Sequence, residues 1–294
     1  MVLRKKLDLH EAVLNVLNYF EVFEYAPTTL QIHRYIGVKT SRKDLEIVLN
    51  EMVVEEHLHV NQIEYTRERI WLLPSVKGHI QKRSEKYVET VKKLKRAALF
   101  FRCMSHMPYV DFVGITGSCA MHNADTKDDI DVFIISAPGG IWVVRFLGIA
   151  LAKVLSIHRK RGMRNPTNKV CLNLFFDGGH LAVPDHKRNL YTAHEVAQIV
   201  PVIVRGGVYR KFLKANKWVS LYFPNISIPR DGHMEQKKPS LLMRFLNACA
   251  KKIQVSRINN SRTTEIVSDQ QLWFFPDDFQ MKIEKRVDIF PRKI

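Results

Sequence analysis

The chain has 294 residues, 46% hydrophobic and 26% charged, with 13 Gly and 12 Pro, a balance that excludes collagen-like, mucin-like and wholly disordered proteins. It is long enough for two domains whose cores need neither disulfides nor a structural metal. The net charge of +17 is the unusual figure, concentrated in residues 201–294 with 18 Lys and Arg against 8 Asp and Glu, and it favours phosphate-rich partners, nucleic acid before anionic membrane. In chain order, the N-terminus meets Asp8 and Glu11 before any apolar run, which argues against a signal peptide. Val13, Leu14, Val16, Leu17 and Phe20 fall at helical spacing and predict a first helix over 9–20. Thr28 and Thr29 can cap a second short helix ending at Gly37. Ser41 with Asp44 three residues on opens a third helix reaching about Glu56. Two β-prone pieces, 57–62 and 68–74, complete the element order of a winged helix-turn-helix over residues 1–75, or of a generic small helical domain.

Residues 76–108 read as a long basic linking helix, where Glu85, Glu89 and Lys93 at four-residue steps predict a solvated face. The informative run is 110–136, VDFVGITGSCAMHNADTKDDIDVFIIS. A strand leads to the turn Thr116-Gly117-Ser118 and, after a polar stretch, a second strand begins at Asp129. Asp129 and Asp131 stand two apart on that strand, on one face and roughly 7 Å apart at the backbone. Carboxylates converging in this way need a cation, and oxygen ligands suit Mg2+ or Mn2+. Gly117 allows close passage of a phosphate and Ser118 offers a hydroxyl donor. Together these parts predict a site for a nucleoside triphosphate and its metal ion.

Gly-Ser, ten intervening residues and Asp-hydrophobic-Asp-hydrophobic heading an apolar strand resemble the signature of the DNA polymerase β-like nucleotidyltransferase superfamily. The motif match covers 110–136. More loosely, 189–203 and 262–278 are similar to downstream blocks of a little-described bacterial and archaeal group with an N-terminal winged-helix-like region. The resemblance implies an α/β (α+β) fold, a mixed sheet flanked by helices, as a nucleotidyltransferase domain over 109–224. It also implies an enzyme that moves a nucleoside monophosphate from an NTP to an acceptor hydroxyl and releases pyrophosphate. Asp129 and Asp131 would hold metal, and Gly117 and Ser118 the triphosphate. The superfamily's third carboxylate belongs on a later strand, here 169–177, where Asn173 stands by position and Asp177 by chemistry. The acceptor is expected to be RNA or DNA. A protein or small-molecule acceptor, or a non-catalytic nucleic-acid binder with a decayed transferase domain, are the alternatives.

Other features have simpler readings. Residues 141–157 are apolar, but Arg145 and Lys153 interrupt them, so a buried helix is expected, with no membrane partner and a cytoplasmic location. Arg145 could reach the triphosphate or pair with an acid. The basic cluster 159–164 could steer a polyanion or be merely solvated. Thr192 and Glu195 fit a helix capping box. His57 and His59 lack a third ligand. The widely spaced Cys103, Cys119, Cys171 and Cys249 read as reduced thiols. The stretch 225–240 reads as a linker, 225–294 as a basic, largely helical C-terminal region, and the aromatic run 272–275 as core.

Overall fold

The computed structural model describes residues 2–63, 67–74, 79–160, 163, 165–227, 240–259 and 266–274. Three helices, α1 (Val2–Glu21), α2 (Thr29–Tyr35) and α3 (Arg42–Val54), precede an antiparallel hairpin of β1 (His59–Gln62) and β2 (Arg69–Leu72). The caps are local and legible. Thr28 accepts from the Gln31 N–H while Gln31 accepts from the Thr28 N–H, and Ser41 accepts from the Asp44 N–H.

The long helix α4 (His79–Met104) leads to β3 (Val110–Ile115), the one-turn α5 (Gly117–Ala120), β4 (Ile130–Ser136), α6 (Ile141–Val154) and β5 (Val170–Asp177). Then come α7 (Leu190–Gln198), β6 (Val200–Val204), α8 (Val208–Ala215), α9 (Val219–Tyr222), α10 (Leu241–Asn259), β7 (Ile266–Val267) and β8 (Gln271–Trp273). Six of these strands form one mixed sheet in the order β6-β3-β4-β5-β8-β7, with β4 and β5 parallel and the other pairs antiparallel. The central strands are covered on both faces, which is why they read as nearly continuous apolar runs. Phe112, Phe133, Ile135 and Phe176 face a cluster shared with α1, α2, α3, α7 and α8. Val113, Val132, Ile134 and Phe175 face Phe100 and Met104 of α4, Trp142 of α6 and Ala250 of α10. One apolar cluster therefore joins the first helices to the sheet across the expected boundary between 1–75 and 109–224. Polar ties reinforce it: Arg34 donates to the Ala197 carbonyl at 2.5 Å, and Asn225 donates to the carbonyls of His33 and Val38 at 3.0 Å each.

The described part of 225–294 holds the long helix α10 together with β7 and β8, and the pairing of β8 with β5 places Leu272 and Trp273 in the core. Sheet burial of these side chains stabilises the short strand. Most of the expected linker 225–240 lies outside the described residues. One expectation is corrected: Lys93 is not on a solvated face but fully buried, and its ammonium donates to the carbonyls of Thr126 and Asp128 at 2.8 Å each, with Glu89 at 3.8 Å. The loop before β4 crosses α4, and its backbone oxygens need donors there. Among the described residues, no helix is long and apolar enough to cross a membrane.

Candidate metal and nucleotide site

The site is built at the start of β4. Strand alternation sends Asp129 and Asp131 to the face covered by α1 and α7. Their ligating oxygens and the Cys171 sulfur all lie within 4.8 Å of one another. Cys171 stands directly beside Asp131 on the parallel neighbour β5. The β4–β5 register then slips, pairing Val132 with Leu172 but Phe133 with Leu174, so that Asn173 has no strand partner. This bulge turns Asn173 toward Asp131, and its Nδ2 donates to Asp131 Oδ1 at 2.6 Å. Asn173 Oδ1 is buried with no hydrogen-bond partner among the described residues. Gly117, at φ +61°, passes so close that a Cβ there would lie 2.6 Å from Asp131 Oδ2. Only glycine fits this bend, in conformation and in space.

Electrostatics at this point are strained. Burial, then the neighbouring Asp129, push the Asp131 carboxyl up to about 7, against the pull of Arg159 and hydrogen bonds from Cys171 and Asn173. Arg159 Nε lies 2.8 Å from Asp129 Oδ2, and its Nη1 donates to Cys171 Sγ at 3.0 Å. A side-chain cation thus partly offsets the acidic pair. Two carboxylates and a thiol whose ligand atoms lie this close together make a donor set that could hold a divalent cation.

Gly117, Asp129, Asp131, Arg159 and Asn173 line a cavity of about 540 Å³, and Cys171 lies behind them on β5. The cavity walls include Tyr19, Phe20 and Phe23 of α1, Lys187, and Thr192 and Glu195 of α7. The site loop is tied to α1 where Asn123 Nδ2 donates to the Phe23 carbonyl at 2.9 Å. No family model, curated protein or solved structure matches this chain.

The cavity gathers Asp129, Asp131, Asn173, Gly117 and Ser118. The Ser118 hydroxyl donates to Asp128 Oδ2 at 2.9 Å, so it braces the loop and is not turned toward the Asp pair. Arg145 is not among the lining residues. It donates to Gln254 at 2.6 Å and lies over the Phe274 ring, and burial lowers its pKa to about 10. Asp177 is at the other end of β5, accepting from the N–H groups of Gly139 and Gly179. Of the two later-strand alternatives, Asn173 is the one brought to the acidic pair. His57 lies 3.4 Å from Glu55 and is in no metal-ligand group among the described residues. Arg161, Gly162 and Arg164 of the basic cluster lie outside the described residues.

Glu195 requires a correction. The cap of α7 is Asn189, which accepts from the Thr192 N–H at 2.9 Å, so Thr192 and Glu195 form no capping box. Glu195 instead points into the cavity. Burial and the nearby Asp131 push it up to about 8, even though its carboxyl accepts hydrogen bonds from the Gly117 N–H and from Gln198. It holds the glycine bend from behind. Glutamine at this position keeps the acceptor and mimics the neutral acid. If the cavity works on a nucleotide as proposed below, Glu195→Gln is expected to retain binding and turnover within about threefold at pH 7, whereas Glu195→Ala loses about tenfold or more. Initial rates and nucleotide-induced melting shifts measure both. A glutamine variant as poor as the alanine one would instead make Glu195 the proton acceptor.

Proposed function

We propose that this protein is a divalent-metal-dependent nucleotidyltransferase that moves a nucleoside monophosphate from an NTP to an acceptor hydroxyl and releases pyrophosphate. One observation carries the reading: the carboxylates of Asp129 and Asp131 converge against the Gly117 bend inside a cavity large enough for a small ligand. The resemblance of 110–136 to the DNA polymerase β-like nucleotidyltransferase superfamily points the same way, with Mg2+ or Mn2+ as the expected ion.

In this reading Asp129 and Asp131 hold the ion, with Asn173 beside them. A divalent cation so held neutralises triphosphate oxygens and acidifies the acceptor hydroxyl. Arg159 and Lys187 line the same cavity and supply further positive charge to the phosphates. Glu195 keeps the bend in place, so that the α-phosphorus is presented to the acceptor. Tyr19, Phe20 and Phe23 give a nucleobase an apolar, aromatic wall. A nucleic-acid acceptor is favoured by the charge of +17 and by exposed Lys92, Lys95, Arg96 and Arg102 along α4. The three helices and hairpin at the N-terminus act as a winged-helix-like module in this scheme.

A second reading, a non-catalytic nucleic-acid binder, is favoured by one specific feature: Asn173 stands where a third carboxylate would accept a proton. Melting with each NTP, with and without Mg2+ or Mn2+, separates the two. The transferase reading expects a metal-dependent rise of several degrees with at least one NTP, and label transferred from it to cellular RNA. Neither effect, together with salt-sensitive binding to RNA or DNA, gives the second reading.

A further inference from the structure

The thiol in the acidic cluster bears on which ion the site selects. Cys171 is buried beside Asp131, and its sulfur lies within 4.8 Å of the ligating oxygens of both Asp129 and Asp131. Asn173, 6% exposed and two residues along the same strand, donates its Nδ2 to Asp131 Oδ1, and its own oxygen is buried with no hydrogen-bond partner among the described residues. Arg159 touches Asp129 and Cys171 together, so the cationic group in the structure already bridges one oxygen and the sulfur. Mg2+ prefers an all-oxygen octahedral shell, whereas thiolate ligands select Zn2+ and related borderline-soft ions.

We propose that Asp129, Asp131 and Cys171 form a mixed oxygen–sulfur site for a borderline-soft divalent ion of the Zn2+ type, with Asn173 holding the Asp131 carboxylate through its amide nitrogen. This deepens the reading of a metal-dependent transferase, since it concerns the same site, but it needs no turnover to be true. On binding, the Cys171 S–H bond breaks, its proton passes to solvent, and the sulfur electron pair forms the bond to the metal. Arg159 leaves its place between Asp129 and Cys171. Ion–donor distances of about 2.0–2.3 Å then require the three donors, now within 4.8 Å of one another, to draw together by about an ångström.

The test uses the full chain, stripped of metal and titrated with Co2+ and with Cd2+. Thiolate-to-metal charge-transfer absorption should saturate at one equivalent, be abolished by one equivalent of Zn2+, and persist in a large excess of Mg2+. Cys171→Ser should remove the absorption and weaken Zn2+ binding by roughly ten- to a hundredfold. Arg159→Ala should tighten Zn2+ binding, since its guanidinium no longer competes. Cys171→Asp, which restores an all-oxygen set, should lose the absorption and let Mg2+ compete. The proposal is overturned if no sulfur band forms with either ion, or if the band survives Cys171→Ser, which would assign it to another cysteine. If the serine variant fails to fold, the Cys171→Asp and Arg159→Ala titrations decide. Transfer supported by Mg2+ without any sulfur band would sink this inference and leave the transferase reading standing. A Cys171-dependent band in a protein that transfers no nucleotide would do the reverse.

Discussion

The Asp131→Asn variant is expected to lack the proposed nucleotidyl transfer altogether while melting several degrees higher than the unchanged protein in metal-free buffer at pH 8. The gain follows from the raised pKa. Asp131 moves from an ordinary value of 3.8 up to about 7, through burial first and Asp129 second. A shift of that size corresponds to about 4 kcal/mol, and partial opening to the cavity reduces it to roughly 2–3 kcal/mol. The sign is that of an acid whose folded pKa lies above its unfolded one. Below pH 4 it costs nothing; stability then falls as pH rises through about 7 and is flat above. Glu195, moved from 4.5 up to about 8, adds a loss of the same sign over a similar range. Metal-free protein should therefore melt higher at pH 5 than at pH 8, and Asp131→Asn should flatten that slope. Calorimetry at the two pH values measures both effects. A variant less stable than the parent at pH 8 would mean that the Asp131 carboxylate is favourably paired, and the metal model would lose its driving force. Such a balance, in which function keeps a group that the empty fold disfavours, is common at active sites.

The parts of this fold that were legible in the sequence are those set by local rules. The caps at Thr28 and Ser41, the hairpin after α3 and the strands flanking Gly117 follow from propensity and from periods of 3.6 and 2. The Asp pair was visible for the same reason, since strand alternation alone sends both side chains one way. Parity could not choose between Asn173 and Asp177, which share a face of an ideal strand. A slipped register on β5 makes that choice, and nothing in the local sequence marks it. Glu195 was hidden because a Thr followed three residues later by Glu is what a capping box looks like, while Asn189 one turn earlier takes the role. Cys171 was hidden because an isolated cysteine carries no spacing. Arg145 was misleading in the opposite way: its position after the Asp strand suggested phosphate, but α10 provides Gln254 as its partner. Each miss depends on a contact between distant segments, where tertiary packing overrides the local pattern.

Among residues outside the metal cluster, Lys93→Met should have the largest effect, costing several kcal/mol of stability and most of the activity. Its i,i+4 relation to Glu89 resembles a surface pair, which would contribute only about 0.5 kcal/mol. Here the ammonium is fully buried and donates to two carbonyls in the loop that delivers Asp129. Methionine fills the same space but donates nothing. The carbonyls of Thr126 and Asp128 then lose a charged donor, and the Glu89 carboxylate loses its counter-ion. Buried groups left without partners cost about 1–3 kcal/mol each. The remaining support for the loop is specific but smaller: Thr90 accepts from the Ala124 N–H at 3.1 Å, and Asp128 accepts from Ser118 and from the Asp125 N–H. With its main clamp removed, the loop is free to move Asp129 away from Asp131 and Cys171, so metal affinity should fall together with stability. Lys93→Arg separates the two effects, because it keeps a donor in a space shaped for an ammonium. It should recover much of the melting temperature but less of the metal affinity, which depends on the exact position of Asp129. Equal recovery of both would mean that Lys93 supports the fold without placing the acid. A Lys93→Met protein with unchanged metal affinity would show that β4 alone fixes Asp129.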